Sequence, residues 1–213
     1  MDLKLYSSWR ASAPYRVRIG LHLKGLDYDC IPVDLAGSEQ HKAPYRAVNP
    51  QRLTPTLLAD DATLTQSLAI LEWLDETHPE PPLLPKAPLD RAVVRGMAEI
   101  VACDIHPINN LRVLRALEAM GVEAASIQTW ARRWITDGFN VLETLIAKHG
   151  GGWAFGDTPT IADCCLIPQI YNSQRFGVDL APYPAIRSCS QRAAEHPAFI
   201  AAHPNRQPDA TPT

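Results

Sequence analysis

Y-S-S-W-R-A-S-A-P-Y-R-V-R-I-G-L-H-L-K-G, residues 6–25, begins where a short apolar strand, Leu3 to Tyr6, runs out. Small and polar residues follow, and then a helical pattern takes over. Val17, Ile19, Leu21 and Leu23 supply its apolar side chains, while Arg16, Arg18 and Lys24 fall largely on other faces. Ser12 reads as the N-cap and Pro14 as a first-turn residue, where its missing N–H costs nothing. Gly25 reads as the C-cap. A strand end, a tight turn and a capped helix start make an anion-binding corner, and Arg10 projects from the same turn.

The 213 residues suffice for one large domain or two small ones, and 46% of them are hydrophobic, enough for a substantial core. The formal net charge of -3 argues against nucleic acid or a membrane surface as the main partner. No run approaches 18 apolar residues, so no transmembrane helix is expected, and Asp2 and Lys4 interrupt any leader-like apolar start. The five cysteines, Cys30, Cys103, Cys164, Cys165 and Cys189, match neither a zinc knuckle nor a C-x-x-C pair. They read as small buried hydrophobes in a reducing cytoplasm.

From the opening stretch outward, the first eighty residues alternate strands and helices. Tyr28 to Asp34 is a second strand, placed at a sheet edge by Pro32. Ser38 to Val48 is a weak, short helix ending before Asn49-Pro50. Thr56 to Leu58 and Ala62 to Leu64 form a hairpin about Asp60-Asp61. Gln66 to Glu76 is a firm helix, with Leu68, Leu71 and Leu74 on one stripe and Ile70 and Trp73 beside it. This order is that of a thioredoxin-like domain. His78 to Pro88, with five prolines in eleven residues, reads as a linker rather than a packed element.

Beyond it the strands vanish. Leu89 to Met120 is a helical run broken or kinked at Pro107. Val122 to His149 is a second long helix with Ile127, Trp130, Ala131, Trp134, Phe139, Leu142 and Leu145 as apolar positions, ended by Gly150-Gly151-Gly152. A third runs from Thr160 to near Gly177 and opens on the capping-box pair Thr160 and Asp163. Pro184 to Glu195 is the last helix, and the tail after His203 reads as irregular. The expected division is an α/β domain at 1–80, a linker at 81–88 and an all-α domain at 89–213.

Three local patterns carry chemistry. In L-T-P-T (residues 53–56) Pro55 reads as cis, as is usual at this place in a thioredoxin-like domain, with Thr54 offering backbone N–H and C=O to an extended peptide. In T-Q-S (residues 65–67) Gln66, Ser67 and the helix-start N–H groups can hold a carboxylate; Thr65 or Ser67 as a plain N-cap is a compatible reading. A thiol pointing at Ser12 would be stabilised there as thiolate, so the protein needs no cysteine of its own, and Cys30, in a strand, is badly placed for that role. In the helical half, Asp104, His106, Asn109 and Asn110 crowd the expected break. His106 lacks the partners of a metal site and reads as structural or as a subunit contact before an acid–base group, so no metal is expected. Arg10, Arg112 and Arg175 can together hold a dianion, with a solvated helix-end charge as the plain reading of Arg175.

Across nearly its whole length the chain resembles the zeta-class glutathione transferases, which include maleylacetoacetate isomerase and glutathione-dependent maleylpyruvate isomerase. The resemblance rests on residues 6–21, N-P-Q-R-L-T-P-T-L (49–57), Q-S-L-A-I-L-E-W-L (66–74), C-D-I-H-P-I-N-N (103–110), F-G-D-T-P-T-I-A-D (155–163) and R-F-G-V-D-L-A-P-Y-P (175–184). It implies a thioredoxin-like N-terminal domain followed by an all-α C-terminal domain, in a homodimer. Glutathione is the implied cofactor, held by Ser12, Gln40, Thr54 beside Pro55, Gln66, Ser67 and in some members Asn110. Arg10 and Arg175, with Arg112, are the implied contacts to the carboxylates of a small dicarboxylic keto acid, and Ser12, Arg10 and Arg175 the implied catalytic set. The family's Ser-Ser-Cys stands here as Ala11-Ser12-Ala13, which leaves the middle hydroxyl alone.

The implied reaction is cis–trans isomerisation of maleylacetoacetate to fumarylacetoacetate, in tyrosine and phenylalanine breakdown, by reversible thiolate addition to the double bond. Maleylpyruvate isomerisation, in gentisate-type aromatic degradation, is the closest alternative. General glutathione conjugation or dehalogenation is a further enzyme reading, and non-catalytic glutathione binding is the reading from outside enzymology.

Overall fold

The computed structural model describes residues 2–211. In chain order the first elements are β1 (Leu3–Ser7), α1 (Ser12–Leu23), β2 (Asp29–Pro32), α2 (Ala43–Val48), β3 (Thr56–Ala59), β4 (Ala62–Thr65) and α3 (Ser67–Thr77). Then come α4 (Pro88–Glu99), α5 (Leu111–Ala119), α6 (Ala124–His149), α7 (Ile161–Arg175), α8 (Pro184–Glu195) and α9 (Pro197–Ala202). They divide into two compact units, Met1–Leu83 with Ala194–Thr213, and Leu84–Ala193. The end of the chain, read from sequence with the helical part, thus packs with the α/β part.

In the first unit the strand order is β2-β1-β3-β4, with β1 parallel to β2 and antiparallel to β3, and β4 closing a hairpin on β3. This is the thioredoxin-like arrangement expected from sequence. Pro32 lies on the edge strand, where its missing N–H breaks no ladder. Asp60, at φ 49°, makes the hairpin turn in the left-handed region that Asp tolerates. The segment Ser38–Val48 is not one weak helix: a single 3-10 turn, Glu39–His41, precedes α2. Leu3, Leu5, Val17, Leu21, Leu57, Ala59, Ile70 and Leu74 form the core.

Helix α1 corrects the sequence reading in one respect and adds to it in another. Ala11, not Ser12, is its N-cap, and no side chain caps it; Ser12 is the first helical residue. Its basic side chains are not on solvated faces. Arg16, Arg18 and Lys24 are 2%, 0% and 8% exposed. The reason is that α1 packs on α3 on one side and on α9 on another, so little of the helix is left for solvent. Each cation has partners: Arg16 Nη1 donates to Ser67 Oγ at 3.1 Å, Arg18 Nε donates to the Ala202 carbonyl at 3.0 Å, and Lys24 Nζ donates to Asp75 Oδ1 at 2.9 Å. The helix ends in a Schellman motif: Leu26 N–H donates to Leu21 O and Gly25 N–H to His22 O, with Gly25 at φ +64°.

The α1–α3 contact is close enough to need a glycine. A Cβ on Gly20 would overlap Leu71 Cδ2, and Leu71 is fully buried. Gly20→Ala should gain about 1 kcal/mol of helix propensity and lose about 1–3 kcal/mol to overpacking. A net loss of about 1 kcal/mol is expected in urea unfolding.

The proline-rich stretch is more than a linker. Lys24 Nζ donates to the Pro81 carbonyl at 2.6 Å, Asp75 Oδ1 accepts from Leu83 N–H at 2.6 Å, and Leu83 is 1% exposed. Prolines carry no N–H, so few backbone donors here need a partner. Pro88 already belongs to α4.

In the helical unit the expected break at Pro107 is a full interruption. After α4 the chain winds as a π-helix, Ile100–Ile105, and His106 N–H donates five residues back to Val101 O at 2.9 Å. Asn110 Oδ1 accepts from Arg112 N–H at 3.1 Å and so caps α5. Helix α6 buries Ile127, Ala131, Ile135, Phe139, Leu142 and Ile146, whereas Trp130 is 37% exposed. The periodicity was shared by two neighbouring stripes, and the one without the tryptophans faces the core. Helix α7 packs on α4, contains Pro168, and opens on the expected capping box of Thr160 and Asp163. No helix among the described residues is long and apolar enough to cross a membrane.

Candidate active site

The strand register of the first unit decides which loops meet. Tyr6 of β1 pairs with Thr56 of β3, and Thr56 pairs with Thr65 of β4. The end of β1, the start of β3 and the end of β4 therefore lie in one row across the sheet. Ser7 pairs with Pro32, which puts the end of β2 at the same edge. Four connections leave from this edge. They carry Ser12, the Thr54-Pro55 pair, Gln66-Ser67, and Gln40 in its 3-10 turn.

Two of the connections start helices. Ser12 and Ser67 are each the first residue of their helix, α1 and α3, and are 5% and 6% exposed. Neither helix has a side-chain N-cap, so first-turn N–H groups of both remain for an anion. Gln66 precedes α3 at φ 68°, ψ 116°, a left-handed conformation that a non-glycine residue adopts at a cost of about 1–3 kcal/mol. Outliers of this kind cluster at binding and active sites.

The loop before β3 is held by a network that the sequence reading missed. Leu53 O accepts from the Tyr45 hydroxyl at 2.6 Å and from Asn49 Nδ2 at 2.8 Å. Asn49 Nδ2 also donates to Thr56 Oγ1 at 3.0 Å, and Asn49 Oδ1 accepts from Gln51 N–H at 2.9 Å. The Thr54–Pro55 bond in this loop is cis, as expected. Gln66 Nε2 donates to Gln51 Oε1 at 2.9 Å, linking the α3 start to the same loop. Arg16 was missed too, although it stands four residues after Ser12 on the same helix face and donates to Ser67. Asn49-Pro50 reads in sequence only as a helix stop, and one buried asparagine does not announce a four-way network.

Gln40 is 7% exposed, and its Oε1 is buried without a partner among the described residues. Arg10 is half-buried with its guanidinium carbon 5.2 Å from the Trp9 ring centroid, in a cation–π stack. Cys30 is no rival nucleophile: burial pushes its thiol up, against a smaller pull from Arg18. Cys164, Cys165 and Cys189 are buried, and burial takes Cys189 to about 12. Two cysteines depart from the expected burial: Cys30 is half-buried and Cys103 is exposed.

The remaining predicted residues lie in the helical unit. Asn110 is the α5 cap, Arg112 is exposed in the first turn of α5, and Arg175 is the exposed last residue of α7. Asn110 thus has a structural task that the sequence did not announce, and His106 sits in the turn after the π-helix.

The family description "Glutathione S-transferase, N-terminal domain" matches residues 12–77, and "Glutathione S-transferase, C-terminal domain" matches residues 127–201. The chain is 46% identical to maleylacetoacetate isomerase of Pseudomonas aeruginosa, over 97% of this chain and 98% of that protein. A holo structure of maleylpyruvate isomerase, a bacterial zeta-class glutathione S-transferase, superposes with a TM-score of 0.95 at 46% identity, over 98% of this chain and 100% of that one. Maleylacetoacetate isomerase of Anaeromyxobacter dehalogenans, solved with glutathione bound in its active site, gives 0.90 at 47% identity, over 99% and 98%. With both domains matched and near-complete coverage at this identity, the chain belongs to the zeta class of the glutathione S-transferase family.

Proposed function

We propose that this protein is a glutathione-dependent cis–trans isomerase of maleylacetoacetate. The observation that carries the reading is the gathering of Ser12, Thr54, Gln66, Ser67 and Gln40 at one edge of the sheet, in a chain close to maleylacetoacetate isomerases along its whole length. These residues fit glutathione. The orphaned Gln40 Oε1 needs an N–H donor, which a tripeptide amide or amine has, and the uncapped start of α3 with its buried Ser67 suits a carboxylate.

When bound, glutathione supplies a nucleophilic thiol, which the Ser12 turn, with no cysteine in residues 6–25, does not. The protein's own part is binding and charge placement. The Ser12 hydroxyl and the first-turn N–H groups of α1 favour a negative charge placed at that helix start. Gln66 and Ser67, the latter braced by Arg16, hold a carboxylate. Arg10 offers a guanidinium to a carboxylate of the keto acid and favours negative charge developing on it, and in the helical unit Arg112 and Arg175 are exposed cations of the same kind. Maleylpyruvate is the second substrate reading, favoured by the 0.95 superposition with a maleylpyruvate isomerase. The two substrates differ mainly by one methylene, which a pocket separates by only about 1–3 kcal/mol.

A paired assay of both keto acids, with and without glutathione, tests the reading. Glutathione-dependent isomerisation faster on maleylacetoacetate is the expected result. Turnover of neither substrate leaves conjugation or plain glutathione binding, and turnover without glutathione overturns the mechanism. Ser67→Ala should raise KM for glutathione about tenfold, since it removes one hydrogen bond to a charged group and the partner of Arg16 Nη1. A KM within twofold of wild type would remove Ser67 from the carboxylate site. We further read the protein as a cytoplasmic homodimer. Five cysteines with neither zinc-knuckle nor C-x-x-C spacing support a reducing compartment, and gel filtration tests the dimer.

A further inference from the structure

The turn between β1 and α1 is gripped from the far end of the chain. Asp209 Oδ2 accepts from Trp9 N–H at 3.0 Å, across 200 residues of sequence. Arg18 Nη2 donates to Trp9 O at 2.9 Å. Both polar groups of one residue's backbone are thus held by side chains of opposite charge, in charge-assisted bonds. Arg18 is itself fully buried and fixed at its other nitrogens, Nη1 to Ser7 Oγ at 2.8 Å and Nε to Ala202 O at 3.0 Å. The segment bearing Asp209 is tied down in turn. Gln207 Nε2 donates to Ala201 O at 3.2 Å and His203 O at 3.0 Å, and Ala210 N–H donates to Gln207 O at 3.0 Å.

Stability alone is a poor reason for this arrangement. Asp209 Oδ1 is buried with no partner among the described residues, which costs desolvation that a solvated tail would avoid. What the arrangement fixes is the orientation of Trp9, and the Trp9 ring is the shelf on which the Arg10 guanidinium rests.

We infer that Asp209 and Arg18 are positioning residues that clamp the Trp9 backbone and so aim Arg10 at the substrate carboxylate. The inference rests on the reading of Arg10 given above. Loss of the Asp209 bond loosens one end of Trp9, lets the indole turn, and leaves Arg10 without a fixed support.

Kinetics of Asp209→Ala and Asp209→Asn test it, each alone and combined with Arg10→Met. Asp209→Ala should raise KM for the keto acid about tenfold, the effect of about one charge-assisted hydrogen bond, with kcat within about twofold and KM for glutathione unchanged. Asp209→Asn keeps an oxygen for Trp9 N–H and should recover most of the loss; it also carries the test where the alanine variant does not fold. On the Arg10→Met background Asp209→Ala should add nothing. An unchanged KM, a loss in kcat alone, or an additive double variant overturns the proposal. Hydrogen exchange at the Trp9 amide separates this outcome from failure of the functional reading. If wild-type protein isomerises neither keto acid, exchange faster in Asp209→Ala and near wild type in Asp209→Asn upholds the clamp, and unaltered exchange removes it.

Discussion

Asp163→Ala is expected to cost about 3–5 kcal/mol of stability, the largest loss from any single change considered for this protein. Asp163 is 0% exposed and accepts three hydrogen bonds: Ala154 N–H at 2.7 Å, Thr160 N–H at 2.9 Å and the Thr160 hydroxyl at 3.0 Å. Alanine would leave two backbone N–H groups buried and unpaired, at about 1–3 kcal/mol each, and dismantle the capping box at about 1 kcal/mol more. Only the Thr160 hydroxyl can turn to another acceptor. Thr160→Ala loses the hydroxyl that donates to Asp163 Oδ2 and accepts from Ala162 N–H at 3.2 Å, and should cost about 1 kcal/mol. Urea unfolding at fixed protein concentration measures both, and a loss below 1 kcal/mol for Asp163→Ala would show that the loop between α6 and α7 rearranges to satisfy its own donors.

The same residue predicts a pH dependence of definite sign. Burial pushes the Asp163 carboxyl up to about 6, against the three hydrogen bonds that hold it down. Its folded value lies above that of the unfolded chain, so the folded state binds the proton more tightly. The resulting stabilisation is fully present below the unfolded value and is lost as pH rises through about 6. The gap between wild type and Asp163→Ala should therefore widen by about 1 kcal/mol from pH 7 to pH 5. A gap that narrows over that range would mean that the hydrogen bonds, not burial, dominate.

Capping boxes are legible because they are local: Thr160 and Asp163 are three residues apart, and a single helix start explains both. The thioredoxin-like arrangement was legible from its order of elements, and the cis Pro55 only through that arrangement, since four residues L-T-P-T do not by themselves set an isomer. Much of what the sequence hid is long-range. Arg16, Arg18 and Lys24 lie off the apolar positions of α1, and partners distant in sequence bury them, on α3 for Arg16 and Lys24 and on α9 for Arg18. The bond from Trp9 to Asp209 is of the same kind, whereas the knot of Tyr45, Asn49 and Thr56 is local and was hidden because one buried asparagine does not announce a network. The π-helix at Ile100–Ile105 had no sequence mark, since Pro107 announces a break and not its winding.

Ser12→Ala is expected to lower kcat about 10²–10³-fold, as removal of one donor from a preorganised anion site does. The helix start narrows what else could serve. Ala11, in the N-cap position, offers no side-chain acceptor, its N–H is already given to Ser8 O at 3.1 Å, and Pro14 has no N–H at all. The groups left for an anion are the N–H of Ser12, the N–H of Ala13 and the Ser12 hydroxyl. Alanine keeps both N–H groups and deletes only the hydroxyl, so the variant divides the site in two. If the hydroxyl carries the thiolate, bound glutathione should titrate at least one pH unit higher in Ser12→Ala, read from thiolate ultraviolet absorbance, and kcat should fall in step. If the α1 start carries it through its two N–H groups, kcat falls less than tenfold and the titration stays put. Ala11 and Ala13, which stand where the family has the outer residues of its Ser-Ser-Cys, bring no polar side-chain atom to serve in place of Ser12. A Ser12→Ala enzyme with wild-type kcat would therefore assign the thiolate to the helix start alone.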